Sequence, residues 1–286
     1  MSLYPRTKET DLVGSGLGKV FFLDPVNGSD DSVYPYHPSK ALATLAEAVD
    51  RCTDGAGDII IRMPGTEQVT EAVTIDKAGI TIMASTYGMN YSQPEKFVTY
   101  TAAAYTDGPV LEIEAPCALI GLEWETRNTA GQAIEINGEG GGFAGGFVLI
   151  KDCRFPLWYS KYAIEFSAGA FIKVENCNFD GAFTAAMNMV GSVSNNPTDI
   201  TVEGCYFRGC AAGILHGTTV HRFLYKGNIF ADCTAAITFS THAATGNGLV
   251  CSNILDAANH AGAFDRDLTQ LAAQNIYCMD NHYREA

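Results

Sequence analysis

The sequence predicts an all-β fold in which the chain winds into a parallel β-helix, a solenoid of about nine coils. Six copies of one phrase carry this prediction: an apolar residue, two polar or small residues, Cys or Asn, any residue, and a large apolar residue. Successive copies, together with a weaker one at 119–124, begin 23 to 31 residues apart. This period leaves no room for the helical crossovers of a dozen or more residues that a βαβ sheet requires. The six copies cover residues 150–155, 174–179, 202–207, 225–230, 250–255 and 278–283.

The N-terminal part predicts an opening strand and one helix. Val20–Pro25 has the composition of a strand, and Ser39 is placed to cap a helix over Ala41–Cys52, where apolar residues recur at helical spacing. Such a helix would cover the open end of the first coil and its unpaired strand edge. The predicted division is an N-terminal arm at 1–19, a strand and capping helix at 20–57, and the parallel β-helix at 58–286.

The fourth position of the phrase predicts a ladder of stacked side chains. Equivalent residues of neighbouring coils lie about 4.8 Å apart, and a tight inward bend requires a small side chain. Thiols stack as small hydrophobes, and amides bond to each other and to the turn backbone. We therefore assign the ladder a structural role. Its members are Cys153, Cys177, Cys205, Asn228, Asn253 and Asn281.

A second pair of cysteines stands five residues after its ladder positions. Cys210 and Cys233 fall on neighbouring coils, so their spacing would permit a disulfide. The first ten residues lack the apolar centre of a secretory signal, which predicts synthesis in a cytoplasm. Reduced thiols are therefore the expectation, with the disulfide as the alternative.

Each phrase is followed by a second short strand that begins with Ala or Gly, as in 133–136 and 163–166. Glu135 and Glu165 take the outward position on neighbouring coils, and Asn188 follows on the next. Carboxylates about 5 Å apart suit a retaining glycosidase, and a separation of about 9 Å across two coils would suit an inverting one. Glu135 and Glu165 are therefore the catalytic candidates if the protein is an enzyme. The favoured interpretation is a solvated polar face, because outward strand positions require polar residues.

Other candidate ligand or interface residues are aromatic. Trp158, Tyr159, Tyr162 and Phe183 lie in or near loops of adjacent coils, where they could bind a sugar, anchor a subunit interface or pack in the core. His216 and His221 flank a short turn without an evident third ligand, so we predict no metal and no cofactor.

Composition excludes two classes of protein. The net charge is -14, with 18 basic and 32 acidic residues, so a nucleic-acid-binding surface is not expected. No apolar run approaches the roughly 18 residues of a membrane span. The acidic surface would also repel anionic polysaccharides.

The run from Leu23 to Ile82 contains Asp-Pro-x-x-Gly-Ser-Asp, the predicted helix, Asp58-Ile-Ile-Ile61 and Ile80-Thr-Ile82. With the Asn/Cys-x-Phe phrases, it resembles the right-handed parallel β-helix proteins of the pectate-lyase-like superfamily, including bacteriophage virion and tailspike-like members. The resemblance implies a single-stranded right-handed parallel β-helix. Members include polysaccharide lyases, glycosidases, adhesins and phage tailspikes, so the fold alone does not fix the function.

The catalytic strings of the superfamily's polygalacturonase-like and pectate-lyase-like enzymes are not found in the sequence. The prediction is therefore a non-enzymatic bacteriophage structural protein, a capsid decoration (cement) protein or a tailspike or fibre component, acting as a homotrimer. Its expected partners are capsid or tail proteins and a cell-surface glycan, and its expected location is the virion, after synthesis in the host cytoplasm. The alternatives are a polysaccharide lyase, a glycoside hydrolase or a glycan-binding adhesin.

Overall fold

The structure, a computed structural model, shows a right-handed parallel β-helix. The coils stack so that equivalent strands of neighbouring coils pair in parallel and form three sheets, of ten, nine and seven strands. Apolar side chains at alternate strand positions fill the interior as one continuous core. The described residues are 18–86, 95–99, 108–126, 131–137, 147–156, 161–181, 184–189, 197–216, 220–239, 247–256 and 276–284.

We name the three sheets A, B and C, in the order in which a coil visits them. Sheet A consists of Val20–Leu23, Ile59–Arg62, Ile80–Ala84, Cys117–Ile120, Val148–Lys151, Ala170–Glu175, Thr198–Glu203, His221–Lys226, Gly248–Cys251 and Ile276–Met279. Sheet B consists of Gly65–Val69, Glu95–Thr99, Glu123–Thr126, Arg154–Pro156, Asn178–Asp180, Tyr206–Arg208, Ile229–Ala231, Ile254–Asp256 and His282–Arg284. Sheet C consists of Val73–Ile75, Leu111–Ile113, Gln132–Ile136, Tyr162–Phe166, Ala185–Met189, Ala212–His216 and Ala235–Phe239.

The number of coils with strands in all three sheets is lower than the predicted total of about nine coils. Within the described residues, seven coils have strands in all three sheets. The last two coils contribute strands to sheets A and B only, at 248–256 and 276–284.

The spacing of residues within the repeated phrase is constant because each copy contains the turn from sheet A to sheet B. The residue before each ladder position has a left-handed backbone, as at Asp152, with φ 53°, and Gly227, with φ 64°. Gly, Asn and Asp adopt this conformation at least cost, which explains why small polar residues recur there. The turn directs the next side chain into the solenoid, where the ladder lies.

The ladder cysteines and asparagines occupy equivalent sites. Asn228 Nδ2 donates to the carbonyl oxygen of Val202 at 3.0 Å, and Cys205 Sγ contacts the carbonyl oxygen of Val174 one coil earlier at 3.7 Å. Two positions further on, aromatic rings stack with centroids 4.7 to 4.9 Å apart and nearly parallel planes, at Phe155, Phe179, Phe207 and Phe230. All nine cysteines carry free thiols, including Cys210 and Cys233.

The capping helix is shorter than predicted and begins later. It spans Leu45–Asp50, and its N-cap is Thr44, whose Oγ1 accepts from the backbone N of Glu47 at 3.3 Å. Ser39, the predicted cap, lies instead in a 3-10 turn over Pro38–Lys40. The reason is Asp30, whose carboxylate accepts from the backbone N–H groups of residues 43 and 44 and from the Thr44 hydroxyl, and so delays the helix.

The helix buries one face against the first coils. Leu45, Ala48 and Val49 lie in the core, as the helical spacing predicts. Within the described ranges, no helix has the length and apolar character needed to cross a membrane.

Candidate functional site

Three glutamates and an asparagine stack on the outer face of sheet C. Strand register pairs Glu112 with Glu135, Glu135 with Glu165, and Glu165 with Asn188. Each of these residues stands between two buried apolar residues of its strand, so its side chain points away from the core. We call this set the glutamate column. Its members repeat at the spacing of neighbouring strands, about 4.8 Å.

Glu112 is a member that sequence reasoning missed. The search for second strands required a leading Ala or Gly, and the Glu112 strand, Leu111–Ile113, has neither. A simpler signal would have found it, because an apolar-Glu-apolar triplet occurs three times in sheet C. The triplets are Leu111-Glu-Ile113, Ile134-Glu-Ile136 and Ile164-Glu-Phe166.

Neutral side chains hold the carboxylates in place. An amide or hydroxyl donates to each of the three glutamates, so each carboxylate has at least one partner that carries no charge. This arrangement restricts the carboxylates without neutralising them. The donors are Gln132 Nε2 to Glu135 Oε2 at 2.7 Å, Ser167 Oγ to Glu135 Oε1 at 3.2 Å, Asn188 Nδ2 to Glu165 Oε1 at 3.1 Å and Asn137 Nδ2 to Glu112 Oε1 at 3.2 Å.

The surroundings of Glu165 raise the pKa of its carboxyl group. Burial raises the pKa of the Glu165 carboxyl, and the negative charge of Glu135 raises it further. Lys161 and the hydrogen bond from Asn188 act in the opposite direction and are smaller. A carboxyl group whose pKa is raised beside a second carboxyl group is the arrangement that general acid catalysis uses.

The glutamate column is not the fully solvated polar face that the sequence favoured. Asn188 is 4% exposed, and Glu112, Glu135 and Glu165 have intermediate exposure. Partial burial is what raises the pKa of Glu165, so the difference bears directly on the chemistry available to the column.

Of the four candidate aromatics, the structure describes Tyr162. Its ring is 8% exposed and packs with Ala185 and Ala212, and Lys161 Nζ lies 5.0 Å from the ring centroid. Trp158, Tyr159 and Phe183 lie outside the described residues. The Tyr162 side chain therefore packs against sheet C beside the glutamate column.

The two candidate histidines do not share a site. His216 ends a strand of sheet C and is fully buried, with Nδ1 2.8 Å from the Tyr225 hydroxyl, whereas His221 begins a strand of sheet A. Burial lowers the pKa of His216 to about 3, so its ring is neutral at physiological pH. Over the part of the chain that the structure describes, no three His, Cys, Asp or Glu side chains are grouped to hold a metal ion.

Comparison with known proteins places the chain by its fold. No protein-family model matches the sequence, and the curated proteins offer no match either. A rhamnogalacturonan lyase is structurally similar, with a TM-score of 0.53 and 13% identity over 84% of this chain and 68% of the lyase. A mutant pectin methylesterase in complex with a hexasaccharide has a TM-score of 0.50 and 10% identity over 94% of this chain and 90% of the esterase.

At these identities the likeness establishes the fold alone. The chain has the right-handed parallel β-helix that such pectate-lyase-like proteins share. Activity has to be argued from the site itself.

Proposed function

We propose that this chain is a glycoside hydrolase that acts on a polysaccharide, with Glu135 and Glu165 as its catalytic carboxyl groups. The observation that carries the proposal is their register pairing on sheet C together with the raised pKa of Glu165. Burial and the charge of Glu135 both raise the pKa of Glu165, which is the direction of shift that a general acid requires.

The spacing of the pair favours a retaining mechanism. Carboxyl groups of retaining glycosidases lie about 5 to 5.5 Å apart, close to the spacing of about 4.8 Å between adjacent strands. In the first step, Glu165 would donate its proton to the glycosidic oxygen while a Glu135 oxygen bonds to the anomeric carbon and the glycosidic bond breaks. In the second step, Glu165 would take a proton from water, and the resulting hydroxide would displace Glu135.

The neighbours in fold are compatible with a polysaccharide substrate. One is a rhamnogalacturonan lyase by name, and the other is a pectin methylesterase bound to a hexasaccharide. The predicted virion role, the homotrimer and the virion location bear on assembly and remain predictions. We give the enzyme alternative precedence because the glutamate column supplies a specific arrangement for chemistry.

The charge of the protein narrows the expected substrate. A net charge of -14 and a column of carboxylates would repel a uronic acid polymer. A neutral polysaccharide is therefore the expected substrate class.

The proposed hydrolase activity is tested by measuring the rate at which reducing ends are released from glucan, mannan, xylan and polygalacturonate. Glu165→Gln and Glu135→Gln should each lower the rate by roughly 100-fold to 10,000-fold, because each removes one member of the acid and nucleophile pair. Glu203→Gln is the matched control: this carboxylate lies on sheet A, two coils after that of Glu165, and pairs with Lys226 at 3.1 Å. Its rate should match that of the wild type.

Two results would contradict the proposal. Rates unchanged in both sheet C variants would remove the pair from the mechanism. An unsaturated product with ultraviolet absorbance would instead identify a lyase. The proton NMR signal of the first product should show the anomeric configuration of the substrate, as a retaining mechanism requires.

A further inference from the structure

A second surface with the character of a binding site lies on the outer face of sheet A, away from the glutamate column. It is an open groove with a volume of about 690 Å³ that runs across the later coils. Its side chains combine aromatic rings with polar groups. Those that carry the argument are Phe147, Phe171, Asp199, Arg222, Asn247 and Tyr277.

The aromatic rings of the groove are exposed. Phe147 directly precedes Val148, and Phe171 directly precedes Ile172. Val148 and Ile172 are in register on neighbouring strands of sheet A, so the two phenylalanines occupy equivalent positions on successive coils. They are 48% and 49% exposed, and Tyr277 on the last strand of sheet A is 62% exposed. Large apolar rings at this exposure present flat surfaces to solvent that nothing in the core requires.

The backbone is strained where the groove side chains project. Phe171, Asp199 and Arg222 stand at the same point of three successive coils and have left-handed φ angles of 57°, 56° and 52°. Asp tolerates this conformation, but it is unfavourable for Phe and Arg. Backbone strain of this kind is concentrated at binding sites, where it positions side chains.

The charges in the groove are balanced. Arg222 forms a two-pronged pair with Asp199, with Nε to Oδ1 at 2.7 Å and Nη2 to Oδ2 at 2.6 Å. Lys173 Nζ lies 2.7 Å from Glu175 and 3.4 Å from Glu203. Both cations are therefore already matched by carboxylates, so the groove favours a ligand without net charge.

We infer that this groove binds a segment of a neutral oligosaccharide. Aromatic rings contact the C–H face of a pyranose, while the Arg222–Asp199 pair and the Asn247 amide can bond to its hydroxyl groups. The volume lies within the range of small-molecule sites, about 300 to 1,000 Å³. Of the residues that the structure describes, fourteen line the groove, whereas a stable protein interface uses roughly 20 to 30 per side.

This binding site goes beyond the proposed hydrolase function, because it is on another sheet and requires no catalysis. A polysaccharide held on sheet A would stay near the protein while a different segment of the chain reached sheet C. Binding at the groove and hydrolysis at the column should therefore be separable by mutation.

The experiment is isothermal titration of the full chain with hexasaccharides of β-1,4-linked glucose, mannose and xylose, and with hexagalacturonate as the charged probe. At least one neutral hexasaccharide should bind. Phe171→Gly should weaken that binding at least tenfold while leaving the unfolding midpoint unchanged or higher, because glycine adopts the left-handed conformation without strain. Phe147→Ala should also weaken binding, and Ile229→Ala should not, since Ile229 is 37% exposed on sheet B and outside the groove.

Three results would overturn the inference: binding of none of the neutral hexasaccharides, tighter binding of hexagalacturonate, or unchanged affinity of a folded Phe171→Gly variant. Glu165→Gln separates the two proposals, because it should slow hydrolysis as described above and leave the affinity of the groove for the hexasaccharide unchanged. Hydrolysis without groove binding would overturn only the groove. Groove binding without hydrolysis would overturn only the proposed function.

Discussion

The ladder inside the solenoid and the glutamate column outside it are both stacks of one side chain per coil. Neighbouring ladder side chains attract each other, whereas neighbouring glutamates repel each other. In the ladder, Asn253 Oδ1 accepts from the backbone N and from Nδ2 of Asn228, and Asn253 Nδ2 donates to Asn281. An amide can both donate and accept a hydrogen bond, so the ladder asparagine of each coil pairs with that of the next. Glutamates only accept when ionised, and stacked copies repel each other.

The difference shows what repetition does to different side chains. A group that can pair with its own copy is stabilised by stacking and can be fully buried, as Asn228 and Asn253 are. A group that cannot do so needs hydrogen-bond donors from other residues, and partial burial raises its pKa, as at Glu165. The first kind of stack stabilises the fold, and the second contains the carboxyl pair that we propose to be catalytic.

The largest expected effect comes from breaking the ladder. Asn253→Ala would leave the Asn228 N–H and the Tyr225 carbonyl oxygen without the Asn253 side chain that pairs with them, whereas Asn281 Oδ1 would keep the backbone N–H of Asn253 as a donor. We expect a loss of roughly 3 to 5 kcal/mol in the free energy of unfolding, because two buried polar groups lose their partner and the amide side chain is no longer packed in the ladder. Urea denaturation measures this loss.

Asn253→Cys is the matched control, because the chain itself places thiols at the equivalent positions of earlier coils. Its loss should be smaller than that of Asn253→Ala, since the thiol fills the space and can contact the carbonyl. A loss below about 1 kcal/mol for the alanine variant would show that the amide stack contributes little.

An intermediate effect on stability is expected at His216, a buried side chain that is neutral at physiological pH. The folded pKa of His216 is about 3, below its unfolded value of about 6.5. The stability contributed by the neutral ring is therefore complete above pH 6.5 and is lost as the pH falls from 6.5 towards 3. At pH 4 the loss should be roughly 3 kcal/mol relative to neutral pH.

His216→Phe tests this, because Tyr225 keeps its contact with Met189 Sδ at 3.0 Å and the ring site remains aromatic. The variant should lose less stability than the wild type between pH 7 and pH 4, as followed by urea denaturation at each pH. Equal losses in the two proteins would exclude His216 as the source of the pH dependence.

The smallest effect on stability is expected in the glutamate column. Glu135→Gln removes the charge that raises the pKa of Glu165, so that pKa should fall towards the ordinary glutamate value. The free energy of unfolding should change by less than about 1 kcal/mol, because the pair lies on a partly exposed face. Carbon NMR titration of the Glu165 carboxyl group measures the shift.

Glu203→Gln on sheet A is the control and should leave the Glu165 titration unchanged. An unchanged Glu165 pKa in the Glu135→Gln variant would mean that the two carboxylates do not interact. The difference between the column and the ladder would then rest on burial alone.

The sequence predicted the solenoid well because its signal is local and repeated. The ladder phrase, the left-handed turn residue before it and the apolar alternation of the strands all lie within six residues of each other. The register of Glu135 with Glu165 and Asn188 followed from aligning the repeats. Glu112 was missed only because its strand lacks the leading small residue.

Features that depend on distant contacts were predicted less well. Thr44 rather than Ser39 caps the helix because the carboxylate of Asp30, fourteen residues earlier in the chain, accepts hydrogen bonds from Ala43 and Thr44. No pattern in the neighbouring sequence indicates the near-complete burial of Asn188. The same is true of Phe171, whose backbone is left-handed and whose side chain is exposed.

The amino-acid sequence by itself determined the coil, because each repeat encodes its own strands, turn and inward ladder residue. Only the tertiary structure decided which stacked polar groups are satisfied and which are charged and half-buried. The reason is that burial and pKa depend on every neighbour in three dimensions, whereas the coil repeat depends on residues adjacent in the chain. The glutamate column shows this division most clearly, since its register can be aligned from sequence but its electrostatics cannot.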